Sequence, residues 1–124
     1  MKRMGLLIGA AGFLVAGTAF AGYSYWDQVT ITPTSAKGTV PGAYFASDTN
    51  QEINCMTSAS PQASGYCYAY DSTNAYKTCH TSNAAQIATM QSVGPFSYIF
   101  FSLAADNYTC GQVAVENGSR YASY

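Results

Sequence analysis

The amino-acid sequence predicts a small all-β domain, a disulfide-stapled sandwich or partly closed barrel with one short helix. Three observations lead to this prediction. Short runs rich in tyrosine, threonine and β-branched residues alternate with clusters of Ser, Pro, Asn and Asp, which is the pattern of strands and turns. Only one segment has the start and stop signals of a helix. Four cysteines in a chain of 124 residues indicate that disulfides supplement a small core.

The N-terminal segment has the pattern of a Sec-type export signal. Lys2 and Arg3 form a basic start, an apolar stretch runs from Gly5 to Ala16, and Ala19-Phe20-Ala21 supplies an A-x-A cleavage pattern. We therefore expect a signal peptide over residues 1–21. The protein would then be secreted, periplasmic or attached to the cell surface, and its cysteines would be oxidised.

The alternative for this segment is an uncleaved membrane anchor. Met4 to Tyr23 is about long enough to span a bilayer, at roughly 20 residues. With cleavage after Ala21, residues 22–124 form a single β-rich domain that retains no membrane span.

Strands are expected along most of the domain. Val29 to Thr32 alternates with a period of two and stops at Pro33, after which residues 34–43 have the composition of a loop or irregular edge. Further strands are expected at residues 43–47, 51–57, 65–70, 75–80, 97–103, 107–115 and 119–123. Asn117-Gly118 is the strongest hairpin signal, because both central residues of a type I′ turn need positive φ.

One helix is expected from Ala84 to Ser92. Ser82 or Asn83 would cap its N-terminus, and Gly94-Pro95 would end it. Its apolar residues would cover a sheet: Ile87, Met90 and Val93.

The cysteine spacing predicts a strand register. Cys55, Cys67 and Cys79 follow one another at equal intervals. Turns centred on Pro61 and Thr73 would place Cys67 directly opposite both of the others in a three-stranded meander, within disulfide reach of each. Two pairings remain: Cys55–Cys67 with Cys79–Cys110, or Cys67–Cys79 with Cys55–Cys110. We prefer the first, since its long bridge would tie the meander to the C-terminal hairpin.

The same register predicts a tyrosine-rich face on the other side of the meander. Tyr66, Tyr68 and Tyr70 would point away from the cysteines, and Tyr76 would face Tyr70 across the strands. Such rings can stack on a glycan or an extended peptide while polar neighbours fix its orientation. Alternatively, the rings cover the core or meet the other sheet. The candidate ligand-binding residues are Tyr66, Tyr68, Tyr70, Tyr76, Asn54 and His80.

Charge and motifs exclude several functions. The chain has five basic and six acidic side chains, and two of the basic ones, Lys2 and Arg3, lie in the leader. The remaining cations are too few to neutralise a phosphate backbone, so no nucleic-acid partner is expected. The chain has one histidine, His80, and no G-x-S-x-G elbow, so no enzyme is expected. Four oxidised cysteines and one histidine leave too few ligands for zinc, and no cofactor is expected.

Several short motifs surround the cysteines: Ile53-Asn54-Cys55, Tyr66-Cys67-Tyr68-Ala69, Lys77-Thr78-Cys79, Tyr98-Ile99-Phe100-Phe101 and Tyr108-Thr109-Cys110. In their order and spacing the chain resembles a group of small exported bacterial proteins with four cysteines, whose functions are uncharacterised. The resemblance covers about residues 40–116. It implies a shared fold and provides no active site.

Three functions are compatible with these observations. The first is an exported non-enzymatic protein that binds an extracellular or envelope ligand, a glycan or a protein, through the tyrosine-rich face. The second is a structural subunit of an extracellular layer or fibre, which would self-associate through the first strand or the terminus Arg120 to Tyr124. The third is a small secreted hydrolase inhibitor, whose inhibitory loop would be Ser58 to Ser64 or Thr34 to Pro41.

Overall fold

A computed structural model describes residues 25–122, which form two antiparallel sheets. The expected signal peptide lies outside the described residues. The elements in chain order are β1 (Thr30–Ile31), β2 (Ser35–Thr39), α1 (Val40–Tyr44), β3 (Glu52–Ala59), β4 (Ala63–Tyr70), β5 (Tyr76–Thr81), α2 (Ala84–Gln91), β6 (Ser97–Leu103), β7 (Cys110–Asn117) and a final 3-10 turn (Ser119–Tyr121). Within this part of the chain, no helix is long and apolar enough to cross a membrane.

The two sheets confirm the predicted fold class. The order of the first sheet is β1-β2-β6-β7 and that of the second is β3-β4-β5, and neither closes into a barrel. Inward-facing residues of both sheets share one core, because alternate side chains of a strand point to the same side. The buried core residues include Ala36, Ile99 and Phe101 of the first sheet and Ile53, Cys67, Ala69 and Cys79 of the second.

The predicted register of the meander is confirmed. Cys67 is paired with Cys55 on one side and with Cys79 on the other, and Tyr70 faces Tyr76. The β4–β5 turn is shaped by Asp71, whose Oδ1 accepts hydrogen bonds from the backbone N–H groups of Thr73 and Ala75. Asn74 in the same turn has a φ of 64°, a conformation that asparagine tolerates better than most residues.

The disulfides follow the preferred pairing. Cys55–Cys67, hereafter the hairpin disulfide, joins facing residues of β3 and β4 with a sequence separation of 12. Cys79–Cys110, hereafter the inter-sheet disulfide, joins β5 to β7 with a separation of 31. The second bridge therefore links the two sheets covalently, as was predicted from its expected role of tying the meander to the C-terminal strands.

The predicted helix is confirmed as α2, with Asn83 as its N-cap. The Asn83 side chain accepts hydrogen bonds from the backbone N–H groups of Ala85 and Gln86, the second and third residues of α2, both at 3.0 Å. Ile87 and Met90 are buried, and Val93 packs against the core.

Two predictions in the first half of the chain are wrong. Residues 35–39 form β2 and not a loop, because β2 pairs with β6, a strand far along the chain. The strand expected at residues 43–47 is replaced by α1, which Thr39 caps and in which Pro41 occupies the first turn. The proposed inhibitory loop Thr34 to Pro41 therefore does not project, since most of it is built into the sheet and the start of the helix.

The C-terminal predictions also need correction. The strand expected at 107–115 begins only at Cys110. No hairpin forms at Asn117-Gly118, because the Asn117 amide donates to the Ser92 carbonyl and accepts from the Ser97 hydroxyl. Residues 119–121 form a single 3-10 turn where the strand 119–123 was expected. The described part of the terminus thus offers no strand for self-association.

Candidate ligand-binding face

The three tyrosines of β4 lie on the outer side of the second sheet. Tyr66, Tyr68 and Tyr70 are partly exposed, whereas Cys67 and Ala69 between them are fully buried. The alternation follows from the pleat of the strand, which sends successive side chains to opposite faces. The rings neither fill the core nor meet the first sheet, so that alternative is wrong.

The neighbouring strands bring the other predicted residues beside these rings. Tyr76 and His80 of β5 are the cross-strand partners of Tyr70 and Tyr66, and Asn54 of β3 is the partner of Tyr68. Tyr76 is half exposed, at 50%. The structure therefore brings all six predicted site residues together on one face.

The aromatic side chains of this face contact one another in a continuous row. Ring centroids are 4.8 Å apart for Tyr70 and Tyr76, 6.4 Å for Tyr68 and Tyr70, and 6.0 Å for Tyr66 and Tyr68. The row then crosses to β5, where the rings of Tyr66 and His80 lie 5.6 Å apart. These separations are those of favourable aromatic pairs.

A sixth ring, Tyr108, extends the row from a loop of the other sheet. It stacks on His80, with centroids 4.5 Å apart and an interplanar angle of 9°. The His80 backbone N–H donates to the Tyr108 carbonyl at 2.9 Å, which fixes the loop against β5. We use the name aromatic row for these six residues: Tyr76, Tyr70, Tyr68, Tyr66, His80 and Tyr108.

The turn that carries Tyr108 is organised by Asp106. The Asp106 Oδ1 accepts hydrogen bonds from the backbone N–H groups of Tyr108 and Thr109, at 3.0 and 2.8 Å, and its Oδ2 accepts from the Thr109 hydroxyl at 2.6 Å. These bonds stabilise the charged carboxylate, and the hydrogen bond from the Thr109 hydroxyl contributes most to lowering the pKa of Asp106.

Tyr108 is not among the predicted site residues, because residues 107–115 were expected to form a strand. A signal was nevertheless present. A Cys79–Cys110 bridge brings the chain around these two cysteines close together, including His80, which follows Cys79, and Tyr108, which precedes Cys110 by two positions.

Polar groups sit between the rings. The Tyr68 hydroxyl donates to the Glu52 carboxylate, and this hydrogen bond is the main reason why the pKa of Tyr68 is raised. The Tyr66 hydroxyl donates to the Met56 sulfur at 3.1 Å. These contacts fix the orientations of the Tyr66 and Tyr68 rings. At the end of the row, Tyr66, His80 and Tyr108 border a depression of about 340 Å³.

The charges on and around the row are negative. Glu52 lies on the face, and Asp71 and Asp106 lie in the turns at its edges. Hydrogen bonds, first of all from the Thr73 hydroxyl, lower the pKa of Asp71, so this carboxylate stays charged at a lower pH than an ordinary aspartate does. Lys77 of β5 points to the other side of the sheet, where its ammonium donates to the Pro33 carbonyl at 3.0 Å.

The His80 ring lies between two tyrosine rings, tilted against that of Tyr66 and stacked on that of Tyr108. Among residues 25–122, no group of three or more His, Cys, Asp or Glu side chains could hold a metal ion. Comparison with known proteins adds no assignment to this geometry: no protein-family model, curated protein or solved structure matches the chain.

Proposed function

We propose that the chain is an exported, non-enzymatic protein that binds an uncharged extracellular or envelope glycan through the aromatic row. The observation that carries the proposal is the continuity of six rings on the outer face of a disulfide-bonded sheet. A protein ligand with an extended, uncharged segment is the alternative occupant of the same surface.

The row suits the apolar faces of sugar rings. A tyrosine supplies a large flat surface and a polar tip, and it loses little conformational entropy because few of its bonds rotate. Successive centroids along the row are 4.5 to 6.4 Å apart, comparable with the length of one sugar unit. An oligosaccharide of several units in an extended conformation would therefore contact several rings at once.

The charge distribution favours a neutral ligand. Glu52 on the face and Asp71 and Asp106 at its edges would repel a polyanion. The Asn54 amide on β3 is exposed and provides both a donor and an acceptor for sugar hydroxyl groups.

The disulfides support the exported location. Residues 25–122 contain two disulfides and no free cysteine, and such bridges persist mainly in oxidising compartments. The two bridges also hold the meander that presents the row, which limits the entropy lost on binding.

Isothermal titration calorimetry of the oxidised protein would test the proposal. The probes are neutral oligosaccharides of β-linked glucose, mannose and N-acetylglucosamine, with an oligogalacturonate as the anionic control. We expect Tyr76→Ala and Tyr108→Ala to weaken binding by about 2–10-fold each, since one aromatic stacking contact contributes roughly 0.5–1.5 kcal/mol.

Tyr44→Ala is the matched control, because Tyr44 is 78% exposed and lies outside the row. Its affinity should equal that of the unmodified chain. The proposal fails if no neutral oligosaccharide binds, or if the row variants bind as tightly as the Tyr44 variant.

A second candidate function is a structural subunit of an extracellular layer or fibre. It is favoured by β3 and β7, which are the outermost strands of their sheets and have eight residues each. Unpaired backbone groups of an outer strand can pair with another copy. Light scattering over a concentration series would show growth into oligomers if this function is correct.

A further inference from the structure

A second exposed aromatic surface, which shares no residue with the aromatic row, lies close to where the described chain begins. Its members are Trp26, Tyr44, Phe45 and Phe96, which we call the N-terminal patch. Their exposed fractions are 42%, 78%, 52% and 41%. Single exposed apolar residues are ordinary, but contiguous ones mark a surface that contacts a partner or a membrane.

The patch has defined geometry. The rings of Trp26 and Phe45 stack at 5.0 Å with an interplanar angle of 11°, and the Tyr44 ring meets Phe45 edge-on at 4.9 Å. A groove of about 340 Å³ runs beside them, where Val40, Pro41, Pro95 and Phe96 complete an uncharged lining.

A buried hydrogen-bond cluster holds the patch in place. The fully buried Thr39 hydroxyl accepts from the Asp27 and Gly42 backbone N–H groups at 2.9 and 3.0 Å, and donates to the Asp27 carbonyl at 3.0 Å. A Cβ on Gly42 would lie 2.2 Å from that carbonyl oxygen, so the chain crosses α1 closely here. Trp26 and α1 are thereby fixed to each other.

The chain that precedes the patch is apolar. The described residues begin at Tyr25, directly before Trp26, and residues 4–23 contain no charged side chain. A membrane that holds this segment, either as a signal before cleavage or as an uncleaved anchor, would lie next to the patch. Tryptophan and tyrosine favour the boundary between headgroups and acyl chains, because one end of each ring system is apolar and the other is polar.

We propose that the N-terminal patch rests on the surface of a lipid bilayer, at the boundary between headgroups and acyl chains. The proposal is independent of ligand binding at the aromatic row. A second copy of the chain on the same patch is the competing outcome of the test.

Tryptophan fluorescence can locate the patch, because Trp26 is the only tryptophan of the chain. In the full chain, Trp26→Phe keeps an aromatic ring against Phe45 and removes this signal. Tyr44→Trp in that background places the single tryptophan at the most exposed position of the patch. Tyr108→Trp in the same background is the control on the aromatic row. Both tyrosines are well exposed, at 78% and 60%, so the larger tryptophan ring at either position does not disturb the packing of the core.

The probe variants are added to vesicles of phosphatidylcholine and phosphatidylglycerol with brominated acyl chains. Interfacial protein surfaces bury by about 5–10 Å, so we expect roughly a twofold loss of emission and a blue shift for the Tyr44→Trp probe. The Tyr108→Trp probe should keep its emission.

Three results would overturn the proposal. Equal emission of both probes with and without lipid would show that the patch does not contact the bilayer. Equal quenching of both would show unspecific adsorption. A blue shift of the Tyr44→Trp probe that needs no lipid and grows with protein concentration would assign the patch to a second copy.

Discussion

Replacing Thr39 with valine tests whether the N-terminal segment is held by one buried hydroxyl group. The Thr39 side chain is fully buried and uses its one donor and both acceptor positions, in contacts of 2.9 to 3.0 Å. Thr39→Val preserves the shape of the side chain and removes all three hydrogen bonds. The backbone N–H groups of Asp27 and Gly42 lose their partner, whereas the Asp27 carbonyl retains the Thr39 backbone N–H.

The magnitude follows from these three bonds. Each contributes about 1 kcal/mol net, so the loss of all three should lower the free energy of unfolding by roughly 3 kcal/mol. For a domain of this size, that loss corresponds to a Tm lower by roughly 10–20 °C. It is a large part of the total, because domains are stable by only about 5–15 kcal/mol.

Urea unfolding of the oxidised protein measures the effect, with Trp26 fluorescence and far-UV circular dichroism as probes. Thr39→Ser is the matched control, because it retains the hydroxyl and loses one methyl group, at a cost of about 1 kcal/mol. The reasoning is refuted if Thr39→Val is no less stable than Thr39→Ser.

Three further predictions concern the bridges, the helix contact and the tyrosine face. Replacing both cysteines of the inter-sheet disulfide by alanine should cost about 4 kcal/mol in urea unfolding, against about 3 kcal/mol for the hairpin disulfide, because the first closes the longer loop; equal losses would contradict this order. Gly65→Ala should destabilise the protein by about 1–3 kcal/mol in the same assay, because its Cβ would lie 2.6 Å from the Met90 sulfur; unchanged stability would show that the methionine moves aside at little cost. Glu52→Gln should lower the pKa of Tyr68 in an NMR titration, and an unshifted titration would exclude the hydrogen bond as the cause. In the unmodified chain, the free energy of unfolding should fall as the pH rises past the ordinary tyrosine pKa of about 10, because Tyr68 loses its proton at lower pH in the unfolded chain than in the folded one.

Local patterns made the meander predictable. Equal cysteine spacing and period-two alternation agree on one register, and a shift by one residue would have turned Tyr68 towards the core and Cys67 towards the solvent. The helix α2 was predictable for a similar reason, because Asn83 and Gly94-Pro95 are local start and stop signals. The face that carries five of the six rings followed directly from that register.

The other elements depend on contacts between distant parts of the chain. The strand β2 forms because β6 pairs with it, and no pattern within residues 35–39 predicts this pairing. Asn117 was expected in a turn, yet its side chain forms hydrogen bonds with the Ser92 carbonyl and the Ser97 hydroxyl. Tyr108 reaches the face because its loop is bonded to β5 of the other sheet. Sequence patterns describe neighbours along the chain, so only the position of Tyr108 could have been predicted, from the preferred Cys79–Cys110 pairing.

The alternation along β4 has a consequence for how this protein can change. Buried Cys67 and Ala69 belong to the core, while Tyr66, Tyr68 and Tyr70, which alternate with them, point outward. If a ligand binds this face as proposed, substitutions at the outward positions would alter recognition, and they would cost the protein ring contacts but no core packing. A library randomised at these three positions should retain its fold while exploring new ligands, which makes the strand a scaffold for selecting binders.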